Sequence, residues 1–254
     1  MIKIEHTKVE GFEPAIRGMR NPKNSWGLSD SKTLEKPVTY FPSAGLEQEE
    51  EDFCEISYLI GEKDYELASR LNTGGPVHAK YRRMIVVWCD ITAPLYWWKE
   101  FDTYKVGTVA DSCSTMHKIQ AKEFTLEDFS HDHLLNIGDI CPDTNSIPHI
   151  LNDEAVTIVN DGYESPEGIL KATILMLNKC RDLYLKTNDK RYWWQMIQLL
   201  PSSYNQKRTV MVNYEVLANI WVSRKGHKLD EWHRFRDWIY ELPYSNLITG
   251  DVDL

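Results

Sequence analysis

The fold of this chain is decided by residues 84–114, which read MIVVWCDITAPLYWWKEFDTYKVGTVADSCS. The first eight residues, 84–91, are rich in β-branched side chains and predict a buried strand. Pro94 follows, and proline suits the first turn of a helix because its missing N–H group has no partner there. We therefore predict a helix over residues 95–101 and a loop over the small polar residues that come after it.

On both sides of this stretch, hydrophobic spacing and turn residues predict the other elements. Strands are predicted at residues 1–10 and 208–212, and helices at residues 13–19, 64–71, 166–186, 190–200, 214–224 and 229–242. The long helix carries apolar residues at a spacing that marks one buried face: Ile169, Leu170, Ile174, Leu177 and Cys180. Strands and helices without βαβ alternation predict an α+β fold with a mixed sheet and packed helices.

Length and composition fit an ordinary globular protein. The chain has 254 residues, of which 42% are hydrophobic and 26% are charged. We predict a single domain over residues 1–254, with residues 26–52 and about 142–161 as loops or insertions. The acidic run at residues 47–52 is expected to lie in a solvated loop.

Charge and cysteine content narrow the class of protein. The formal net charge is −9, whereas a general nucleic-acid binder needs a basic face. No stretch approaches the ~20 apolar residues of a membrane span. The five cysteines form no C-x-x-C pair, which is typical of free thiols in a reducing compartment. We expect a soluble cytoplasmic protein that binds neither nucleic acid nor membrane.

Two segments concentrate residues that suit ligand binding. The first runs from His78 to His117, and after its helix it becomes a string of small hydroxyl-bearing and polar residues that ends at Ser114. Such a string suits a loop that places N–H groups and hydroxyls around a ligand, although an ordinary surface loop explains it as well. Near the C-terminus, Asn219 shares a helix face with Glu215 and, approximately, with Arg224. A solvated helix face is an equally natural interpretation of that polar stripe.

Other candidates have simpler explanations. The pairs Trp97-Trp98 and Trp193-Trp194 can stack on a ligand ring, but large aromatic side chains more often fill a core or an interface. Cys113 could act as a nucleophile, but nothing in the sequence gives it a partner base. The histidines have no spacing typical of a metal site, so we predict none.

The first segment resembles the flavin-dependent thymidylate synthases. These enzymes carry a G-H element, a strand ending in Ala-Pro, a helix and the signature R-H-R-x-x-S. His78 falls on the histidine of the G-H element, Ala93-Pro94 fall on Ala-Pro, and Thr108 falls on the final serine, all without a gap. The C-terminal segment is similar to theirs in the same way, through Leu200-Pro201, Val212-Asn213, Leu217, Asn219 and Arg224.

The resemblance implies a fold, an activity and a set of ligand contacts. His78, Asn213 and Asn219 would contact FAD, and Arg224 would hold the pyrimidine as the catalytic candidate. The implied reaction is reductive methylation of dUMP at C5 with methylene-tetrahydrofolate, FAD and NADPH. The implied assembly is a homotetramer whose active sites each use several subunits. The reduced flavin supplies the hydride, while the protein positions and polarises the reactants.

The chain departs from the family where the nucleotide phosphate is bound. The signature R-H-R is Thr103-Tyr104-Lys105 here, so a lysine point charge replaces two guanidinium forks. Cys113 stands in place of a phosphate-binding serine and Thr115 in place of an arginine. We keep Tyr104 and Lys105 as cofactor-binding candidates, and Thr108 and Cys113 as substrate-binding candidates.

Two further departures have opposite signs. Arg83 stands where the family has glutamate, and Glu215 stands where it has arginine. We predict that Arg83 and Glu215 form an ion pair of reversed polarity, with Arg83 beside the cofactor and Glu215 beside the substrate.

Three hypotheses about function follow. The protein is a divergent flavin-dependent thymidylate synthase, a related flavoenzyme acting on another pyrimidine nucleotide, or a non-catalytic nucleotide-binding protein on the same scaffold.

Overall fold

The structure, a computed structural model, describes residues 2–33, 58–136 and 165–250. The acidic run 47–52, the predicted insertion 142–161 and residues 34–52 of the first predicted loop lie outside the described residues. The chain divides into two compact units. We call residues 2–92, 99–112 and 207–254 the sheet unit, and residues 93–98 and 113–206 the helical unit. The single-domain organisation stays a prediction.

The elements follow one another as the sequence predicts in most places. The strands are β1 (Lys3–Glu10), β2 (Lys32–Thr33), β3 (Tyr58–Leu59), β4 (Val86–Pro94), β5 (Thr108–Ser112) and β6 (Asn205–Asn213). The helices are α1 (Phe12–Arg20), α2 (Glu62–Thr73), α3 (Leu95–Phe101), α4 (Pro166–Thr187), α5 (Lys190–Leu199), α6 (Tyr214–Ser223), α7 (Asp230–Glu241) and α8 (Asn246–Thr249). Among these described helices, none combines the length and apolar character needed to cross a bilayer.

A four-stranded sheet in the order β1-β4-β6-β5 organises the sheet unit. β1 pairs with β4 and β5 pairs with β6, both antiparallel. Val87, Cys89 and Ile91 of β4 are buried at alternate positions, which confirms the buried strand predicted from its β-branched residues. α3 has the bounds predicted from Pro94.

The loop predicted after α3 is wrong for residues 108–112, which form β5. Among the described residues β5 pairs only with β6, which makes it an edge strand of this sheet, and four of its five residues are exposed. An exposed edge strand shows no apolar alternation, which is the signal that a strand leaves in a sequence. Its backbone groups are satisfied by the ladder to β6 instead.

The helical unit packs α4 against α5 around its own core. Ser165 begins α4 by accepting a hydrogen bond from the Gly168 N–H at 3.0 Å. The buried residues of this core are Ile119, Phe124, Phe129, Leu170, Ile174, Leu177, Cys180 and Met196. Four of the five residues predicted for the buried face of α4 are therefore in the core. Ile169 is not, since 55% of it is exposed.

A buried carboxylate ties the first helices of the sheet unit together. Asp64 of α2 is fully buried and accepts hydrogen bonds from Arg20 and from the hydroxyls of Ser29 and Ser31. Burial alone would raise the pKa of Asp64, but these hydrogen bonds outweigh it and hold that pKa below its usual value. The network fixes the chain around residues 29–31 against α1 and α2.

Candidate functional site

Arg224 caps the C-terminal end of α6 and is surrounded by a carboxylate, a phenol and an indole. Its Nη1 donates to Glu100 Oε2 at 2.8 Å, and its Nε donates to the Tyr104 hydroxyl at 2.9 Å. The guanidinium carbon lies 4.5 Å from the centroid of the Trp232 ring, a cation–π contact. The structure therefore brings together two of the predicted site residues, Arg224 and Tyr104.

Glu100 is the centre of this group, which we call the Arg224 cluster (Glu100, Tyr104, Arg224, His227 and Trp232). Besides Arg224, Oε2 of Glu100 faces the Trp232 indole N–H at 2.9 Å and His227 Nε2 at 3.2 Å. His227 Nδ1 accepts the Leu229 N–H at 3.1 Å, which assigns its ring proton to Nε2, facing Glu100. Two hydrogen-bond donors and an imidazole nitrogen thus converge on one carboxylate oxygen.

This arrangement changes what Arg224 offers to a ligand. Its charge is balanced by Glu100, and two of its donor atoms are already engaged. The other oxygen of Glu100, Oε1, makes no hydrogen bond to any described residue, and 34% of the side chain is exposed. The cluster therefore presents guanidinium donors and a carboxylate acceptor side by side. Sequence reasoning missed Glu100, which lies on α3 and meets Arg224 only through the fold.

Thr108 and Asn213 lie close to each other across β5 and β6. Thr108 pairs with Val212 in the ladder. Asn213 caps α6, because its Oδ1 accepts the Val216 N–H at 3.0 Å. Gly107 has a φ of +84°, and a Cβ there would lie 2.6 Å from Asn213 Nδ2, so only glycine fits.

The Thr108 hydroxyl is buried and has no hydrogen-bond partner among the described residues. Such a group destabilises the folded chain by about 1–3 kcal/mol unless something pairs with it. Unsatisfied polar atoms of this kind mark places where a ligand or water belongs. The assignment of Thr108 as a substrate-binding residue stays a prediction.

Three predicted residues are exposed and contribute no side-chain contact to these groups in the described part of the chain. Lys105 and Asn219 are exposed in the sheet unit. Cys113 is exposed in the helical unit, where its backbone carbonyl accepts a hydrogen bond from Gln206 at 2.7 Å. Their assignment as ligand-binding residues stays a prediction.

The ion pair predicted between Arg83 and Glu215 is wrong within one subunit, because Glu215 pairs with Arg82 instead. Glu215 Oε2 lies 2.8 Å from Nη2 and 3.0 Å from Nε of Arg82. Both side chains of this pair are nearly buried, at 11% and 9% exposure. Arg82 and Arg83 are neighbours in a 3-10 helix over Lys80–Met84, so they point in different directions, and Arg83 is exposed.

Replacing Arg82 with methionine is expected to lower the free energy of unfolding by about 3–5 kcal/mol, because Glu215 is left buried and unpaired. Arg83→Met is the matched control and is expected to change it by less than about 0.5 kcal/mol. Chemical denaturation of both variants measures the difference. The double variant R82M/E215L should recover much of the loss, since it removes both charges. Equal losses in R82M and R83M would contradict the assignment of the pair.

His78 lies at a second place, a cleft of about 990 Å³ in the sheet unit. α1, α2 and the 3-10 helices Asn21–Lys23 and Lys80–Met84 supply its walls. Its lining includes one carboxylate, Glu66, and four exposed cations: Lys23, Lys63, Arg70 and Lys80. We call it the His78 cleft.

The His78 cleft has the properties of a site for a large anionic ligand. Its volume lies at the upper end of the roughly 300–1,000 Å³ typical of ligand pockets. None of its four exposed cations forms an ion pair with a carboxylate in the described part of the chain, so their charge is available to phosphate. Leu28, Leu67, Leu71 and Met84 add apolar walls. The cleft and the Arg224 cluster share no residue.

Comparison with known proteins identifies the fold. No family model and no curated protein matches the sequence. Two solved structures of the flavin-dependent thymidylate synthase of Helicobacter pylori, both with FAD and dUMP, are similar over nearly the whole chain. One has a TM-score of 0.59 at 15% identity and covers 99% of this chain and 100% of its own. The other has a TM-score of 0.57 at 16% identity and covers 98% of both chains.

The chain thus has the α+β fold of a flavin-dependent thymidylate synthase, as the sequence resemblance predicted. At these identities the likeness shows the fold, and the activity has to be argued from the two candidate sites.

Proposed function

We propose that the protein is an FAD-dependent enzyme that methylates a pyrimidine deoxynucleotide reductively at C5, with dUMP as the reference substrate and methylene-tetrahydrofolate and NADPH as co-reactants. The observation that carries the proposal is the basic His78 cleft on this fold. It places the histidine expected to contact the flavin in a cavity large enough for a dinucleotide cofactor. The similar Helicobacter pylori proteins bind FAD and dUMP.

The residues of the cleft fit FAD. Lys23, Lys63, Arg70 and Lys80 would neutralise its pyrophosphate, and the apolar walls would cover its rings. His78 would contact the flavin itself. A bound reduced flavin would supply the hydride, so the chain need not contribute a nucleophile.

The Arg224 cluster would hold the pyrimidine. Glu100 and Tyr104 fix the guanidinium in one orientation, which lowers the entropy lost when a base binds to it. The unpaired Thr108 hydroxyl would donate to the nucleotide. Lys105, the one cation left where the family has R-H-R, would bind the nucleotide phosphate.

A homotetramer with active sites built from several subunits would explain why the two sites share no residue. The His78 cleft of one subunit would then complete the Arg224 cluster of another. We place this assembly in the cytoplasm, as the thiol-bearing sequence suggests.

The test is oxidation of NADPH by the FAD-loaded protein with methylene-tetrahydrofolate and a pyrimidine deoxynucleotide. We expect oxidation that depends on the nucleotide and yields a C5-methylated product. Arg224→Ala should lower the rate at least about 100-fold, because the base loses its orientation. Arg234→Ala, on exposed α7 surface, is the matched control and should retain the rate.

A second candidate is a nucleotide-binding protein without catalysis. The engagement of Arg224 by Glu100 favours it, since a tied guanidinium is a weaker ligand for a base. Nucleotide binding without NADPH oxidation by the FAD-loaded protein would support this candidate and contradict the enzyme.

A further inference from the structure

The contact between Glu100 and Arg224 bears on which pyrimidine the site accepts. Glu100 Oε2 accepts hydrogen bonds from Arg224 and Trp232 and lies 3.2 Å from His227 Nε2, and these contacts hold the carboxylate in place. The second oxygen of the same carboxylate, Oε1, makes no hydrogen bond to a described residue, and 34% of the Glu100 side chain is exposed. A ligand that reaches Arg224 therefore meets a fixed carboxylate acceptor next to the guanidinium donors.

Guanidinium donors beside a carboxylate acceptor match cytosine better than uracil. Cytosine presents two acceptors, O2 and N3, followed by a donor, the 4-amino group. Guanidinium N–H groups can pair with the two acceptors while a neighbouring carboxylate accepts from the amino group, as acidic side chains do with cytosine. Uracil presents acceptor, donor and acceptor. In the same pose its N3–H meets a guanidinium donor, and its O4 meets the carboxylate.

We propose that Glu100 is a specificity-determining residue that makes the Arg224 cluster select a cytosine nucleotide over a uracil nucleotide. This inference rests on the proposed function, because it takes Arg224 to be the group that holds the base. The expected substrate base becomes cytosine instead of uracil, and the flavin chemistry of the proposed function stays the same. Sites built to hydrogen-bond a polar group reject analogues that leave their own groups unpaired, which is the source of the selectivity.

The test is isothermal titration of the FAD-loaded protein with dCMP and with dUMP in one buffer. We expect the wild type to bind dCMP at least tenfold more tightly than dUMP. In Glu100→Gln, the carboxamide can still accept from Arg224 while its amino group replaces the Oε1 acceptor. This variant should lose or reverse the preference. Asp102→Asn is the matched control, because Asp102 pairs with Arg208 at 2.7 Å near the same helix end, and it should keep the preference.

Each result separates the inference from the proposed function. Equal or tighter binding of dUMP by the wild type would overturn the cytosine assignment and leave the proposed function intact. An unchanged preference in a Glu100→Gln variant that melts like the wild type would overturn the role of Glu100. Binding of neither nucleotide would overturn the proposed function, and the inference with it.

Discussion

Replacing Asp64 with alanine is expected to lower the free energy of unfolding by about 3–5 kcal/mol, as much as the Arg82→Met change. The carboxylate is fully buried and accepts from Arg20, Ser29 and Ser31. Removing it leaves the Arg20 guanidinium, itself 5% exposed, without its counter-charge, and two hydroxyls without their acceptor.

The same network predicts how stability depends on pH. The pKa of Asp64 is lower in the folded chain than in the unfolded chain, so the unfolded state binds a proton more readily. The stabilisation is therefore fully present above the unfolded value of about 3.9 and is lost as the pH falls toward the lower folded value. Below about pH 4 the free energy of unfolding of the wild type should approach that of an Asp64→Asn variant.

Urea denaturation of the wild type, Asp64→Asn and Asp64→Ala between pH 3 and 7 measures both effects. Asp237→Asn, an exposed acid on α7, is the matched control and should follow the wild type throughout. A constant difference between the wild type and Asp64→Asn across this range would contradict the assigned pKa shift.

Reversing two charges in the His78 cleft is expected to weaken FAD binding at least about 100-fold. Arg70→Glu and Lys80→Glu together replace two cations by anions where the pyrophosphate would lie. Each charge-assisted hydrogen bond contributes about 1.5–3 kcal/mol, and every 1.4 kcal/mol changes the dissociation constant about tenfold. Flavin fluorescence during titration measures the constant.

The control for this variant carries the same change of net charge elsewhere. Lys179→Glu and Lys186→Glu change exposed residues of α4 in the helical unit, and neither lysine lines the cleft. This double variant should bind FAD as the wild type does. Equal weakening in both double variants would mean that net charge, and not the His78 cleft, governs FAD binding.

The elements predicted correctly are those whose side-chain pattern reflects their burial or their ends. The β-branched run of β4 is buried and predicted that strand, and Pro94 predicted the start of α3. β5 was not, because its residues are held by backbone pairing at a sheet edge and are mostly exposed. Ile169 was assigned to the core because helical spacing does not show how wide the buried face of α4 is.

The candidate site was predicted in part, for a similar reason. The resemblance selected Arg224 and His78, but Glu100 is 124 residues from Arg224 in the chain, so no local pattern could connect them. Arg82 and Arg83 are equivalent in the sequence, and the turn of a 3-10 helix decides which of them meets Glu215. Long-range pairing and side-chain direction are properties of the fold.

The most direct test of the central claim is the visible absorption spectrum of the purified protein titrated with FAD. We expect saturable binding, stoichiometric with the subunit, and a flavin band that differs from that of free FAD. A spectrum that equals the sum of protein and free FAD at every ratio would contradict the claim that this fold carries a flavin site.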